Sequence, residues 1–254
     1  MKGIKLCLHQ ETANYRKPAS FGLRETYPLP PYSTIIGMVH YLADFQTYHP
    51  MKISVQGSYF SKTNDVFTRY EFKNGAKFEP SRHNINVNGM GVTRGIGSTE
   101  LLVDVDLMIH IVPADEQDLE LIYQALKKPR AYPALGRHED LAVFESVNKV
   151  DINETEIEEM TNEQYHKGNP NWAAYFPIDL ITETETVEVE STESNVAGTR
   201  YHIPKRYELK NYGNKKQPKL ARVWVEKPEV IYGSQFYLYD EQLVDSEGDL
   251  VFLA

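Results

Sequence analysis

Apolar and polar residues alternate most clearly in "LLVDVDLMIHIV" (101–112), where Leu101, Val103, Val105, Leu107, Ile109 and Ile111 share one face of a predicted strand. "KGIKLCL" does the same near the N-terminus with Ile4, Leu6 and Leu8. "MKISVQGSYFSK" (51–62) is a third predicted strand, with Ile53 and Val55 apolar and Gly57 read as a bulge or bend. Helical spacing takes over in two places. Ile35, Ile36, Val39, Leu42 and Ala43 predict a helix from about Ser33 to Phe45, approached through Pro28, Pro30 and Pro31 and capped by Ser33 or Thr34. Leu119, Ile122 and Leu126 stripe a second helix, opened by Asp115 and closed by Lys127, Lys128 and Pro129. "LAVFESV" adds another strand. Gly37 costs the first helix about 1 kcal/mol relative to alanine, and close approach of the helix to a sheet is the expected reason.

The order strand, helix, strand, insertion, strand, helix, strand predicts an α+β fold: a ferredoxin-like (RRM-like) domain over residues 1–150, two helices on one face of an antiparallel sheet. The insertion, near 63–99, interleaves aromatic, basic, Gly and Asn residues. Its Asn74-Gly75 pair, between Tyr70-Glu71-Phe72 and Phe78, is a hairpin signal. Residues 151–254 are read as an acidic segment followed by a β-rich C-terminal region. Within it "TETETVEVESTES" (182–194) predicts an exposed edge strand or hairpin with only Val187 and Val189 to bury, and "LARVWVE" is the firmest strand.

With 254 residues, 41% hydrophobic and 25% charged, the chain has the composition of an ordinary globular protein. No apolar run reaches the roughly 20 residues of a membrane span, and "MKGIKLCLHQ" is too short and polar for a signal peptide. Cys7 is the single cysteine, which excludes an internal disulfide and a Cys-rich zinc site. A cytoplasmic protein is expected. The net charge of −9 argues against a polyanionic partner, but its distribution reverses that. Residues 151–195 hold twelve acidic residues and one lysine, a local −11, whereas residues 196–227 hold nine Lys or Arg against two Glu, a local +7. Such segregation points to nucleic-acid contact. The acidic stretch is expected to stay away from RNA.

Gly89, Gly91, Gly95 and Gly97 lack the Gly-Lys-Ser/Thr of a phosphate loop and suit a hairpin tip. The eight histidines show no metal spacing, so no metal or cofactor is predicted. Arg137-His138-Glu139-Asp140 reads as a turn with an Arg–carboxylate pair, since adjacent residues point different ways. Arg69, Tyr70, Phe72, Lys73, Lys77, Phe78, Arg82 and His83 combine phosphate-holding cations with rings that stack on unpaired bases, as single-stranded RNA binding requires. The alternative is a plain hairpin whose aromatics pair across strands.

Two segments carry a family resemblance. Pro30-Pro31-Tyr32-Ser33-Thr34-Ile35-Ile36-Gly37 resembles the helix-one motif Pro-Pro-x-Ser-Thr-Ile-x-Gly of the Cas-five family. "YPALGRHEDLA" (132–142) resembles its Leu-Gly-Arg-x-Glu-Asp signature through Leu135, Gly136, Arg137, Glu139 and Asp140. The resemblance covers residues 1–150 and favours subtype I-B. It implies a subunit of a type I CRISPR Cascade surveillance complex that caps the 5′ handle of the crRNA beside the backbone and large subunits. Target DNA would be met only through the assembled complex, with sequence read by base pairing. The expected RNA contacts are Arg24, Tyr27, Arg69, Tyr70, Lys73, Arg82, His83, Arg94 and Arg137. Pro31, Ser33, Thr34, Gly37, Gly136, Glu139 and Asp140 form the structural motif. One subtype of the family is an endoribonuclease using a helix-one tyrosine and a Lys-His pair. Tyr41 lies on the corresponding helix, but the chain contains no Lys-His dipeptide, so no enzyme activity is predicted. The alternative is a metal-independent endoribonuclease that processes pre-crRNA with His83 or His138 as general base. A stand-alone RNA-binding module would be expected to carry an aromatic RNP motif, which the predicted strands do not match.

Overall fold

The computed structural model describes residues 1–20, 22–157, 160–161, 172–189, 198–214 and 217–254. Its first elements are β1 (Lys2–Ala13), α1 (Tyr32–Ala43), β2 (Met51–Lys77), β3 (Ile85–Val87), β4 (Met90–Pro113), α2 (Glu116–Lys127) and β5 (Val143–Glu156). β5, β1, β4 and β2 lie side by side in that order, each antiparallel to its neighbour. Alternation explains their common face: Ile4, Leu6, Leu8, Ile53, Val55, Leu107, Ile109 and Ile111 are all buried and pack with Ile35, Val39 and Leu42 of α1 and Ile122 and Leu126 of α2. Each such side chain contributes about 1.5–3 kcal/mol when fully buried. The carboxylate of Asp115 caps α2 by accepting from the Gln117 N–H at 2.9 Å.

The other face of these strands is polar, yet Lys5, Ser54, Gln56 and His110 on it are buried. Residues 241–254 cover them. β14 (Glu241–Asp245) pairs with the far half of β5. Gln56 Nε2 donates to the Leu250 carbonyl at 2.6 Å, the Phe252 N–H donates to Ser54 Oγ at 2.9 Å, and Ala254 and Ile53 exchange backbone hydrogen bonds. The Lys5 ammonium lies among Asp245, Glu247 and Asp249, and Asp245 Oδ2 meets His110 Nε2 at 2.9 Å. Those three carboxylates converge as a cation site would, and Lys5 supplies the positive charge. Burial holds the His110 imidazole below its ordinary pKa. Burial alone would raise Asp245, but the His110 hydrogen bond and Lys5 outweigh it and hold the carboxyl low.

Beyond β2 the sheet continues through β7 (Ala173–Pro177), β12 (Glu229–Gly233) and β9 (Thr199–His202). A second apolar cluster gathers Ala174, Phe176, Phe236, Leu250 and Phe252 with Val187 and Val189 of β8 (Val187–Val189), which pairs only with β13 (Phe236–Leu238) among the described residues. That edge strand buries the two valines anticipated for it; residues 190–194 of the same acidic run lie outside the described residues. β6 (Met160–Thr161) pairs on the other side of β13, while β10 (Arg206–Asn211) and β11 (Leu220–Glu226) form a separate two-stranded ribbon. The boundary anticipated at residue 150 falls inside β5, which runs unbroken to Glu156.

Several local expectations are corrected. Gly57 makes no bulge: it stays in register opposite Leu107, and a Cβ there would meet the Asp106 carbonyl at 2.1 Å. Gly37 does not approach the sheet; it is exposed, with no atom within 4 Å of where a Cβ would stand. Ser33 and Thr34 do not cap α1. Pro31 is its N-cap residue and makes no side-chain cap, Thr34 and Ile35 N–H donate to the Pro31 carbonyl, and Ser33 N–H donates to Pro204 at 2.9 Å. In β4 the left-handed residue Asp104 (φ 58°) reverses the alternation, so Leu102 rather than Val103 joins the core.

A candidate nucleic-acid interface

The insertion anticipated near 63–99 is a continuation of the sheet strands themselves. β2 and β4 remain paired past the end of β1, from Thr63 opposite Leu101 out to Phe72 opposite Val92, as a two-stranded ribbon. Asn74-Gly75 does not close it. The register breaks between Phe72 and Lys77, so Lys73–Ala76 bulge outward with Gly75 at φ 74°. The reversal falls at Asn88-Gly89, whose φ values of 49° and 83° join β3 to β4 in the left-handed geometry that hairpins prefer.

The bulge and the turn at Glu79–His83 enclose a hollow of about 790 Å³ at the ribbon tip, reached by Tyr70, Lys73, Arg82 and His83. His83 Nδ1 accepts from the Glu79 N–H at 3.0 Å. Its ring lies on Gly91, where any Cβ would stand 2.3 Å from Nδ1. Lower on the ribbon, alternation divides the remaining candidates. Tyr70 stands opposite Arg94 on one face, with Phe72 and Ile96, while Arg69 lies on the other, paired with Glu71. Arg82 is 3.6 Å from Glu79. At the ribbon base the Arg24 guanidinium stacks 4.5 Å from the centre of the Phe67 ring, which itself rests on Gly97. Phe67 was not singled out from sequence, although an aromatic facing a strand glycine is a recognisable pairing.

Two candidates have structural positions. Tyr27 is 8% exposed, packs edge-on to Tyr201 at 5.6 Å, and burial pushes its phenol pKa up, so it offers no ring to a ligand. Arg137 donates through Nε and Nη2 to Asp140 Oδ1 at 3.0 and 2.7 Å, with Glu139 3.1 Å from Nη1. The fully buried Asp140 carboxylate also accepts the Asn14 and Arg137 N–H groups, and Gln10 Nε2 donates to the Leu135 and Asp140 carbonyls. Gly136 (φ 119°) fits because a Cβ would approach Asp140 Oδ2 at 2.7 Å. Gly136, Arg137, Glu139 and Asp140 thus form a clamp that fastens this loop to the end of β1. His138 lies exposed beside it.

No protein-family model matches the chain, and no curated protein does. Solved structures do. A chain of a "CRISPR RNA-guided surveillance complex" is 16% identical, with 96% of this chain and 92% of that chain covered at a TM-score of 0.48. A "CRISPR protein from Archaeoglobus fulgidus" is 13% identical, with 100% and 99% covered at 0.41. A third, a "Cas protein", is 16% identical, with 54% and 57% covered at 0.33. The structural neighbours are CRISPR proteins. At these scores the likeness is one of chain path.

Proposed function

We propose that this chain is a non-catalytic subunit of a type I CRISPR Cascade surveillance complex, akin to the Cas-five family and subtype I-B, that caps the 5′ handle of the crRNA beside the backbone and large subunits. The observation that carries the reading is the ribbon: two sheet strands leave the core and present Lys73, Arg82 and Arg94 with Tyr70 and Phe72, which are 50% and 78% exposed. Cations for phosphates beside uncovered rings for bases suit a single strand. The strand order β5-β1-β4-β2 with both helices on one face supports a ferredoxin-like frame beneath the ribbon. Ile152–Glu156 of the acidic stretch is taken up by pairing with β14, which agrees with its keeping clear of RNA. No helix among the described residues is long and apolar enough to cross a membrane, and we place the complex in the cytoplasm.

The test is whether the chain, co-expressed with a CRISPR array, purifies with a small RNA of uniform 5′ end. The purified protein should leave repeat RNA intact with or without divalent metal. Specific cleavage lost in His83→Ala or His138→Ala would replace this reading with the endoribonuclease.

A further inference from the structure

A groove of about 790 Å³ runs between α1, residues 132–141 and the β10–β11 ribbon. Three stretches far apart in sequence build it. The backbone seats the region of the ribbon against α1 through the Ser33 N–H and the Pro204 carbonyl. The ribbon register, Tyr207 opposite Trp224 and Leu209 opposite Arg222, brings Tyr207, Arg222 and Trp224 onto one face, and that face lines the groove. Tyr207 and Trp224 pack edge-on at 5.7 Å, and the Arg222 guanidinium lies 4.7 Å from the Tyr207 ring centre. Across from them stand Tyr41 and Tyr132, 57% and 89% exposed.

Gly37 belongs to this groove. Its helix-weakening absence of a side chain leaves bare backbone facing the cavity, the arrangement that permits close approach of a ligand. The charge is equally selective. In a chain with 36 Asp and Glu and a net charge of −9, no carboxylate among the described residues lines the groove, while Arg16 and Arg222 do; Arg137, which also lines it, is already held by Glu139 and Asp140. A smaller hollow of about 260 Å³ shares Arg16, Thr34, Gly136 and Arg137 with it and extends to Arg24, the residue stacked on Phe67 at the base of the β2–β4 ribbon. A basic path therefore links that ribbon to the groove.

We propose that this groove is a second single-stranded RNA site, in which an unpaired base stacks among Trp224, Tyr207 and Tyr132 while flanking phosphates meet Arg16 and Arg222 and the strand passes over Gly37. The inference rests on the RNA-holding reading and extends it to a surface lined by no residue of 63–99. Aromatic walls and cations without carboxylates favour a polyanion carrying planar groups over an apolar peptide.

Binding of a short, mixed-sequence single-stranded RNA is followed in parallel by anisotropy of a labelled strand and by tryptophan emission. Emission should be quenched on binding, and the quench should vanish in Trp224→Phe. Tyr132→Ala should weaken binding roughly tenfold, the scale of one lost stacking partner, and Arg222→Ala should weaken it with a flatter dependence on salt, the sign of one lost phosphate contact. Gly37→Leu, which fills the groove floor on an exposed helix position, should weaken it similarly without lowering the melting temperature. RNA bound with parental affinity by all four variants, with emission unchanged, overturns the groove and leaves the RNA-holding reading standing. No anisotropy change for the parent protein overturns that reading and the groove with it. Quenching by an acidic peptide but not by RNA assigns the groove to a protein partner and overturns the proposal.

Discussion

At the scale of single residues, the β2–β4 ribbon separates charge from stacking. Lys73, Arg82 and Arg94 are exposed around the tip and along the Tyr70 face, Arg82 at 3.6 Å from Glu79, whereas Arg69 is held closely by Glu71 on the other face. If each of the first three neutralises one phosphate, changing all to alanine should flatten the slope of log K against log salt by about 2, at about 0.7 per contact on a single strand. Tyr70→Ala should instead cost about 1–3 kcal/mol of binding while leaving the slope nearly unchanged. A salt titration of the two variants reads both at once. Parallel slopes for triple variant and parent would mean these cations face only solvent. Which cations are free was not legible in the sequence. "TRYEFK" shows Arg69 and Tyr70 as neighbours, but the pleat sends them to opposite faces.

At the scale of elements, patterning succeeded wherever one face of a strand or helix meets one core. Ile4, Leu6 and Leu8 of β1, and Ile122 and Leu126 of α2, are buried as their spacing predicts. It failed where a distant segment decides. The Ser33 N–H is satisfied by Pro204, and the polar residues Ser54 and Gln56 are buried by residues 250–252. Nor does local sequence choose between two Asn-Gly pairs, of which 88–89 turns the chain and 74–75 bulges. Two experiments belong here. Gly37→Ala should stabilise the protein by about 1 kcal/mol, since α1 there has room for a methyl group and gains helix propensity; urea unfolding measures it. Excising residues 66–98 and joining Asp65 to Thr99, which face each other across the ladder, through an Asn-Gly turn should leave cooperative unfolding intact and sharply weaken RNA binding, the groove beside α1 retaining the remainder. Of the buried hydrophobic side chains only Val92 lies within the excised stretch. Loss of the folded state would make the ribbon part of the core.

At the scale of the whole molecule, the charged cluster under residues 241–254 ties stability to pH. His110 and Asp245 both bind protons more weakly folded than unfolded. The stability linked to His110 is therefore complete above its unfolded pKa of about 6.5 and is lost as pH falls through and below it; that linked to Asp245 is lost as pH falls below about 3.9. Each tenfold weakening of proton affinity on folding corresponds to about 1.4 kcal/mol. Urea midpoints should fall between about pH 7 and pH 5, where His110 is the member of the pair that titrates when unfolded, and His110→Phe should flatten that interval. An unchanged pH profile in the variant would place the sensitivity elsewhere. The same covering segment has a consequence for biosynthesis. β1 is translated well before the residues that close over Lys5, of which Glu247 lies 242 positions later. At about 5–20 residues per second, some ten to fifty seconds separate the two. Throughout that interval the nascent chain exposes the central strands on the side that residues 241–254 will later occupy, a state suited to chaperone capture. The β2–β4 ribbon leaves the ribosome early in this period, so its sequence is complete well before the support beneath it becomes rigid.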